Sequence, residues 1–236
     1  MPIEIEGVEI GEILRDQNIG EVRVDGTLVW QSKQIIEDWE DYNSTSELEE
    51  NWTTDGTGSY SLESGGLIGG STQHVRQHGF HQMRSFPSGG NHPSTLDRYF
   101  ESGDVVEIPF NLNSVNDPQY NFLVNLEDDT AEGQTANWRL ELQTDSGLRI
   151  VYHDGSGRDV RATENDSPPY STSEVYRARI GVSPSQVTWG VYREDGSTKA
   201  SISTTDVSSG EVASEMSIGQ LAGGGGDWEI DEWRVV

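Results

Sequence analysis

Arginine is the residue type in this sequence that is best suited to hold an anion, and four arginines recur at alternating positions of apolar segments. If these segments are β-strands, their apolar residues point to one face and their polar residues to the other. The polar positions form a candidate ligand-binding set: Arg139, Glu141, Arg149, His153, Arg177, Arg179 and Tyr192. A guanidinium group is a planar fork that matches a carboxylate or a sulfate. The pattern therefore predicts a surface for an anionic ligand, such as an acidic glycan.

Two other interpretations of this arginine set stay open. The segments are expected to be neighbouring strands, and like charges side by side in a sheet are destabilising, so the arginines need acidic partners. Those partners could be carboxylates of the same sheet, of which Glu141 is the nearest in sequence, or groups on a neighbouring subunit. An arginine–carboxylate network and a subunit interface are therefore alternatives to a ligand site.

Histidines form a second group, with His74, His78, His81 and His92 inside nineteen residues. Neutral imidazole can bind a metal ion. The segment has no regular period that would bring the rings together, and no HExxH arrangement is present. The pattern favours exposed loop histidines, and a contact loop is the alternative.

The net charge of −26 sets the conditions under which the chain can fold. Aspartate and glutamate number 41 against 15 lysines and arginines, and only Lys33 and Lys199 are lysines. Self-repulsion at such a charge opposes the compact state, and salt near 1 M shortens the Debye length to about 3 Å and removes most of that repulsion. The composition resembles that of proteins from halophilic archaea and their viruses.

Composition disfavours several functions. No cluster of lysine and arginine suits phosphate contacts, so we do not expect nucleic-acid binding. No apolar stretch approaches the roughly 18 residues of a transmembrane helix, so we expect no membrane insertion. The start, Met-Pro-Ile-Glu-Ile-Glu, has neither the basic nor the apolar region of a signal peptide. We expect the protein to stay inside the cell or to leave it as part of a particle.

The elements that would position these residues are mostly short strands, separated by turn signals such as Asp195-Gly196. Candidate strands cover residues 98–110, 119–127, 135–144, 147–153, 174–182, 186–194, 197–204, 215–220 and 227–236. A short helix is predicted at 46–50, and the Gly-, Ser-, His- and Pro-rich residues 63–95 predict a long loop. Many strands without alternating helices predict an all-β sandwich or barrel.

Residues 1–34 predict a small β unit ahead of a sandwich at 35–236. Alternating residues flank Asp25-Gly26, which is a strong signal for a β-hairpin. A unit of this length cannot bury a core of its own. It must therefore pack on the sandwich or on another subunit.

Four stretches resemble a known fold family. Residues 36–41 (IEDWED) followed by Trp52 resemble the opening strand of concanavalin-like, laminin-G-type jelly rolls. Residues 138–142 with 148–152 are similar to the central hairpin of that fold, and 176–180 with 187–192 to the next hairpin. Residues 228–235 are similar to the final strand, which in this fold pairs with the opening one. The resemblance covers about 35–236 and implies an antiparallel jelly-roll β-sandwich.

The resemblance also bears on catalysis. Glucanases of this fold carry Glu-x-Asp-x-x-Glu on one strand, with a nucleophile and an acid about 5 Å apart. Glu229 and Asp231 supply the first two carboxylates, but Arg234 stands where the third would be. We therefore expect no catalytic residues and no enzyme activity.

Calcium is the cofactor that the resemblance implies. Jelly rolls of this family often hold Ca²⁺ near the opening and closing strands, and the ion needs about six to eight oxygen ligands. Asp38, Glu40 and Asp231 match those strands and are the expected ligands. Carboxylates that meet by chance in so acidic a chain are the alternative.

The leading segment resembles a different group of proteins. Its hairpin ending in Val-Asp-Gly-Thr-Leu-Val-Trp is similar to attachment segments of tailed-virus virion proteins. With the halophilic composition, this implies a non-enzymatic virion surface protein of a haloarchaeal tailed virus: a capsid turret, a decoration or a tail fibre. Residues 1–34 would join other virion proteins, the chain would form a homo-oligomer, and the sandwich could bind a host-surface glycan. The alternatives are a cellular halophilic protein that binds or cleaves glycans and a sandwich that only cements subunits.

Overall fold

Twenty-one β-strands and one α-helix are present in the part of the chain that the computed structural model describes. The described residues are 3–5, 8–10, 21–24, 27–31, 35–37, 39–40, 42–56, 59–68, 72–78, 81–84, 99–113, 122–128, 137–143, 147–153, 157–165, 170–212, 215–223 and 227–236. The chain separates into two units, Met1–Gln34 and Ile35–Val236.

The first unit contains two antiparallel strand pairs. Strands β1 (Ile3–Ile5) and β2 (Val8–Ile10) form one pair. Strands β3 (Glu21–Val24) and β4 (Thr27–Gln31) form the other, with Val24 opposite Thr27. The hairpin predicted around Asp25-Gly26 is confirmed by this register.

The second unit is built from two antiparallel sheets. The strands of the eight-stranded sheet, in spatial order, are β15 (Arg158–Glu164), β14 (Gly147–His153), β13 (Asn137–Gln143), β12 (Phe122–Asp128), β19 (Glu215–Gly223), β9 (His81–Arg84) and β6 (Thr53–Gly56), with β10 (Tyr99–Glu101) on β19. Those of the nine-stranded sheet are β18 (Thr198–Thr204), β17 (Gln186–Arg193), β16 (Val175–Ser183), β11 (Val105–Leu112), β20 (Trp228–Ile230), β8 (Gln73–His78) and β7 (Ser59–Ser64), with β21 (Trp233–Val235) on β11 and β5 (Ile35–Glu37) on β21.

Strand alternation builds the core between the sheets. Trp138, Leu140 and Leu142 on β13 are fully buried, as are the alternate apolar residues of β16 and β17. The Trp189 indole N–H donates to the Glu141 carbonyl at 3.2 Å, which links the two sheets across the core. Burying one large apolar side chain contributes about 1.5–3 kcal/mol. The predicted all-β sandwich is confirmed.

The closing strand pairs with the opening strand, as the resemblance implied. In that pairing of β21 with β5, Trp233 lies opposite Glu37. Trp39, Trp52 and Trp233 pack together with ring centroids 5.3–5.5 Å apart and have 0% exposure. Trp39 has a φ of 64°, a backbone region that costs a residue with a side chain about 1–3 kcal/mol. Burial of the three indoles offsets that strain.

Two parts of the chain differ from the sequence prediction. Residues 63–95 were expected to form a loop, but β8 and β9 lie within that range. Strand β15 was not predicted, because its residues are exposed or half-buried and carry little apolar periodicity. Strands β8, β9 and β15 are all rich in polar residues, and hydrophobic alternation does not reveal polar strands.

The helix prediction is confirmed by α1 (Thr45–Asn51). Ser44 caps it by accepting a hydrogen bond from the Glu47 N–H at 3.3 Å, and the Glu47 carboxylate accepts from the Asn43 N–H at 2.7 Å. Of the helices in the described part of the chain, none is long and apolar enough to cross a membrane.

Candidate functional site

The arginines of the candidate set lie in two different sheets. Arg139 and Arg149 are on β13 and β14 of the eight-stranded sheet, whereas Arg177 and Arg179 are on β16 of the nine-stranded sheet. The expectation that all four occupy neighbouring strands is therefore wrong. Alternation specifies the face of a strand on which a residue lies, but it does not specify the sheet that the strand joins. The set divides into two clusters, each on an outer sheet face.

The Glu107 cluster is the first and consists of Glu107, Arg177, Arg179 and Arg234. The Glu107 side chain is 1% exposed. Its Oε1 accepts hydrogen bonds from Arg177 at 2.8 Å and from Arg234 at 3.0 Å. Its Oε2 accepts from the Arg179 Nε at 2.9 Å. The buried Glu107 carboxylate on β11 thus binds three guanidinium groups. Two come from β16 and one from β21, which are strands that pair with β11.

Burial raises the pKa of Glu107, but hydrogen bonds from Arg179, Arg234 and Arg177 outweigh burial and lower the pKa to about 2. Glu232 also accepts from Arg234 at 2.6 Å. Three guanidinium groups therefore face two carboxylates, and the cluster carries a net positive charge on a chain whose net charge is −26.

Tyr192 borders the Glu107 cluster and is fixed in place. The Arg179 guanidinium lies 4.6 Å from the Tyr192 ring centroid, within the range of a cation–π contact. The ring lies over Gly190, where a Cβ would come within 2.8 Å of a ring atom. The Arg179 side chain is 38% exposed, so this corner of the cluster is open to solvent.

The Glu141 cluster is on the eight-stranded sheet and consists of Glu141, Arg139, Arg149 and Arg158. One Arg158 nitrogen lies 2.7 Å from both oxygens of the fully buried Glu141, and the Arg139 Nε lies 2.9 Å from Oε1. Burial raises the pKa of Glu141, and the charges of Arg139, Arg158 and Arg149 oppose the increase. His153 is half-buried on the same strand as Arg149 and lies opposite Arg158.

No motif in the sequence pointed to Glu107 or Arg158 as functional residues. Glu107 is the one charged residue in the run Val105–Leu112. A carboxylate inside an apolar strand needs a partner because burial of an unpaired charge is costly, so this isolated charge was the available signal. Arg158 carried no such signal because its strand is polar.

The structure places the two carboxylates of the glucanase-like segment in different environments. Strand β20 ends at Ile230 and β21 begins at Trp233, so the segment is interrupted at Asp231. Asp231 is fully buried, and its oxygens accept from the N–H groups of Leu67 at 2.6 Å, Ile68 at 3.0 Å and Glu232 at 2.8 Å. Asp231 therefore anchors a loop.

Glu229, by contrast, lies beside two basic side chains. Its Oε1 is 3.9 Å from the His74 ring and 3.7 Å from Arg76. His74 is buried on β8, so the expectation of an exposed loop histidine is wrong for this residue. The His78 side chain is 40% exposed, as expected, but it lies on β8 and not in a loop. The surrounding polar side chains make β8 a strand without apolar periodicity. His81 is on β9, and His92 lies outside the described residues.

Glu40 and Asp231 are the expected calcium ligands that lie in the described residues, and both accept hydrogen bonds from other groups of the protein. Glu40 accepts from the N–H groups of Thr72 at 2.7 Å and Gln73 at 3.0 Å, and also from the Thr72 hydroxyl. Asp38 lies outside the described residues. Where side chains are described, no three or more His, Asp or Glu residues come together as a metal site. Calcium binding stays a prediction.

Solved structures share the fold. A GH16 protein from Bacteroides ovatus, in complex with a mixed-linkage glucan product, is 9% identical, and the match covers 87% of this chain and 99% of that one with a TM-score of 0.53. A protein of unknown function from Shewanella oneidensis is 16% identical over 84% of each chain, with a TM-score of 0.51. A lectin from Griffonia simplicifolia is 14% identical over 87% of this chain and 99% of that one, with a TM-score of 0.46.

No protein-family model matches the sequence, and no curated protein matches it. At the identities of the solved structures, similarity shows the fold alone. The second unit is an antiparallel jelly-roll β-sandwich, which is the fold that the resemblance implied.

Proposed function

We propose that the chain is a non-enzymatic virion surface protein of a halophilic archaeal virus whose jelly roll binds glycans on the host surface. The observation that carries the binding proposal is the Glu107 cluster. It is a positively charged, partly exposed group with an aromatic neighbour, on a protein whose net charge is −26. Acidic glycans carry the carboxylate or sulfate groups that guanidinium binds.

High salt limits how such a site can work. Near 1 M salt, charge attraction is screened beyond about 3 Å. Affinity must then come from short contacts, namely hydrogen bonds from Arg179 and stacking on Tyr192. The contacts of the two side chains support this, because the Arg179 Nε donates to Glu107 and the Tyr192 ring packs on Gly190 without a ligand.

The absence of enzyme activity is part of the proposal. Asp231 uses its oxygens on backbone N–H groups, and Arg234 is bonded to Glu107 and Glu232. Neither residue is poised for the two-carboxylate chemistry of glycoside hydrolysis. The GH16 protein of similar fold was solved with a glucan product, so a mixed-linkage β-glucan is the substrate to test. We expect no turnover, and turnover that Glu229→Gln abolishes would contradict the proposal.

The virion role is supported by the sequence features of residues 1–34 and by the halophilic composition. Mass spectrometry of purified particles should find the chain in fixed stoichiometry with the capsid or tail proteins. The second unit has a large core of its own, so a variant without residues 1–34 should fold and yet fail to join particles. A chain found only in host cells would favour the cellular glycan-binding alternative.

Binding is tested with Arg179→Gln, which leaves Arg177 and Arg234 on Glu107. We expect affinity for an acidic polysaccharide such as polygalacturonate, measured by calorimetry in about 3 M NaCl, to fall about tenfold, since a charged hydrogen bond contributes about 1.5–3 kcal/mol. Arg193→Gln is the matched control because Arg193 is half-buried, as Arg179 is, and its side chain donates to Ser197 outside the cluster. Equal losses in both variants would show that net charge, and not this cluster, governs binding.

A further inference from the structure

A cleft of about 430 Å³ lies between β15 and the segment after β18, and Arg158 of the Glu141 cluster is one of the residues that line it. Residues of β14 and β15 form one wall, and Ser208–Glu211 form the other. Ligand pockets in proteins typically measure about 300–1,000 Å³. The size of the cleft therefore suits one small ligand or one residue of a polymer.

Arg161 holds the two walls together. Its side chain is 10% exposed and forms ion pairs with Asp159 at 2.8 Å, Asp206 at 2.9 Å and Glu211 at 2.9 Å. The Arg161 guanidinium also lies 5.4 Å from the Tyr152 ring centroid. The cleft is thus preorganised, which lowers the ordering cost of binding.

The second wall is rigid as well. The Glu211 carboxylate accepts from the Ser208 N–H at 2.7 Å, and the Glu211 carbonyl accepts from the Trp138 indole at 2.8 Å. Gly210 has a φ of 93°, a conformation that favours glycine and turns the chain at the rim. The loop is therefore anchored to the core and to Arg161 at once.

The lining favours an uncharged ligand with several hydroxyl groups. The Arg161 nitrogens face carboxylates. Arg158, which also lines the cleft, donates to both Glu141 oxygens, so both guanidinium groups are already bound to carboxylates of the protein. Asp159 is 63% exposed and gives Arg161 one oxygen, Oδ2. A carboxylate has about four acceptor positions, so Asp159 keeps capacity to accept ligand hydroxyls. Ser208 and Ser209 are exposed and add hydroxyls that both donate and accept.

We infer that this cleft is a second glycan subsite, which takes a neutral pyranose and is separate from the anion-binding Glu107 cluster. The inference rests on the proposed glycan-binding function but not on its site. A glycan with acidic and neutral residues would engage both positions, because one carries guanidinium groups and the other carboxylate and hydroxyl groups.

The test uses the full chain in about 3 M NaCl with the methyl glycosides of glucose, galactose and mannose as probes. We expect saturation-transfer NMR to detect binding of at least one probe. Ser209→Trp, which fills the cleft rim, should weaken that binding about tenfold or more, or 1.4 kcal/mol. Ser185→Trp is the matched control, since Ser185 is exposed in the turn between β16 and β17.

Asp159→Asn is the second variant and keeps the shape of the side chain. Asp159→Asn should also lower the affinity for the probe, while the near-UV circular dichroism spectrum stays unchanged. Failure of all three probes to bind, or full binding by Ser209→Trp, overturns the inference. The Arg179→Gln experiment tests the Glu107 cluster independently of the cleft. If Arg179→Gln loses acidic-polysaccharide binding and the cleft binds no pyranose, the proposed function stands and this subsite does not.

Discussion

At the level of single residues, Glu107 and Glu141 organise the outer faces of the two sheets. Each is nearly or fully buried, and each lies among three arginines. Their pKa values nevertheless move in opposite directions. Burial raises the pKa of Glu141, whereas three hydrogen-bonding guanidinium groups overcome burial at Glu107. Glu107 is therefore the carboxylate whose ionisation supports folding.

We expect Glu107→Gln to destabilise the protein by about 3–5 kcal/mol, because removing one partner of a buried ion pair leaves the other charges uncompensated. The free energy of unfolding from denaturant titration measures the effect. Glu194→Gln is the control, since Glu194 is exposed in the turn after β17. Similar free energies for the two variants would show that the arginines find other partners.

The same carboxylate predicts acid sensitivity. A carboxyl whose pKa is lowered on folding contributes stability above its usual pKa of 4.5, and that contribution is lost as the pH falls towards about 2. Integrated over that range, the contribution is on the order of 3 kcal/mol. Unfolding free energies measured from about pH 5 to about pH 2 should fall with pH, and more steeply in the native protein than in Glu107→Gln. Parallel curves would contradict the assignment.

At the level of elements, the strands that pack the core were predictable and the polar strands were not. Residues 147–153 were predicted to form a strand, and β14 has those bounds. Its neighbour β15 pairs with it from Arg158 to Glu164, with a register shift at Arg161. Strand β15 lies at the sheet edge, and all of its residues are exposed or half-buried. An edge strand needs no apolar alternation, so the sequence carried no signal for Arg158 and Arg161.

Gly147 begins β14 and lies against the backbone at the end of β15, so we expect it to tolerate substitution much less well than Gly196. Gly147 has a φ of 86°, and an added Cβ would lie 1.8 Å from the Glu164 carbonyl oxygen. Gly196 has a φ of 83°, but a Cβ there would meet nothing within 4 Å. We expect Gly147→Ala to lower the free energy of unfolding by about 1–3 kcal/mol more than Gly196→Ala, because overpacking adds to the shared backbone strain. Equal thermal shifts would contradict this.

At the level of the whole molecule, the buried and exposed charges respond differently to salt. The arginines at Glu107 and Glu141 are paired with buried carboxylates, and buried pairs are screened much less than exposed ones. Acidic residues outnumber basic ones by 41 to 15, so the chain has too few basic side chains to pair with most of its carboxylates. Salt should therefore weaken the repulsion between exposed carboxylates without breaking the ion pairs around Glu107 and Glu141.

We expect the melting temperature to rise strongly between about 0.1 M and about 3 M NaCl, because the Debye length falls from about 10 Å to below about 3 Å. Differential scanning calorimetry measures the shift. Sucrose at matched viscosity separates charge screening from general exclusion of a cosolute. Equal melting temperatures in the two NaCl solutions would refute the proposed adaptation to high salt.

The sequence by itself determined the all-β fold class and which face of each core strand is buried. Alternation is a local property, so the burial of Trp138, Ile180 and Trp189 followed from spacing alone. The pairing of the opening strand with the closing strand followed from the family resemblance.

Only the tertiary structure decided which charged groups meet. Glu107 and Arg234 are separated by 127 positions, and Arg161 and Glu211 by 50. Contacts at such separations depend on strand order and on the edge at which each strand joins its sheet. Both are set by the packing of the whole core, and no local pattern of residues encodes them. The two arginine clusters and the cleft at Asp159 follow from that packing.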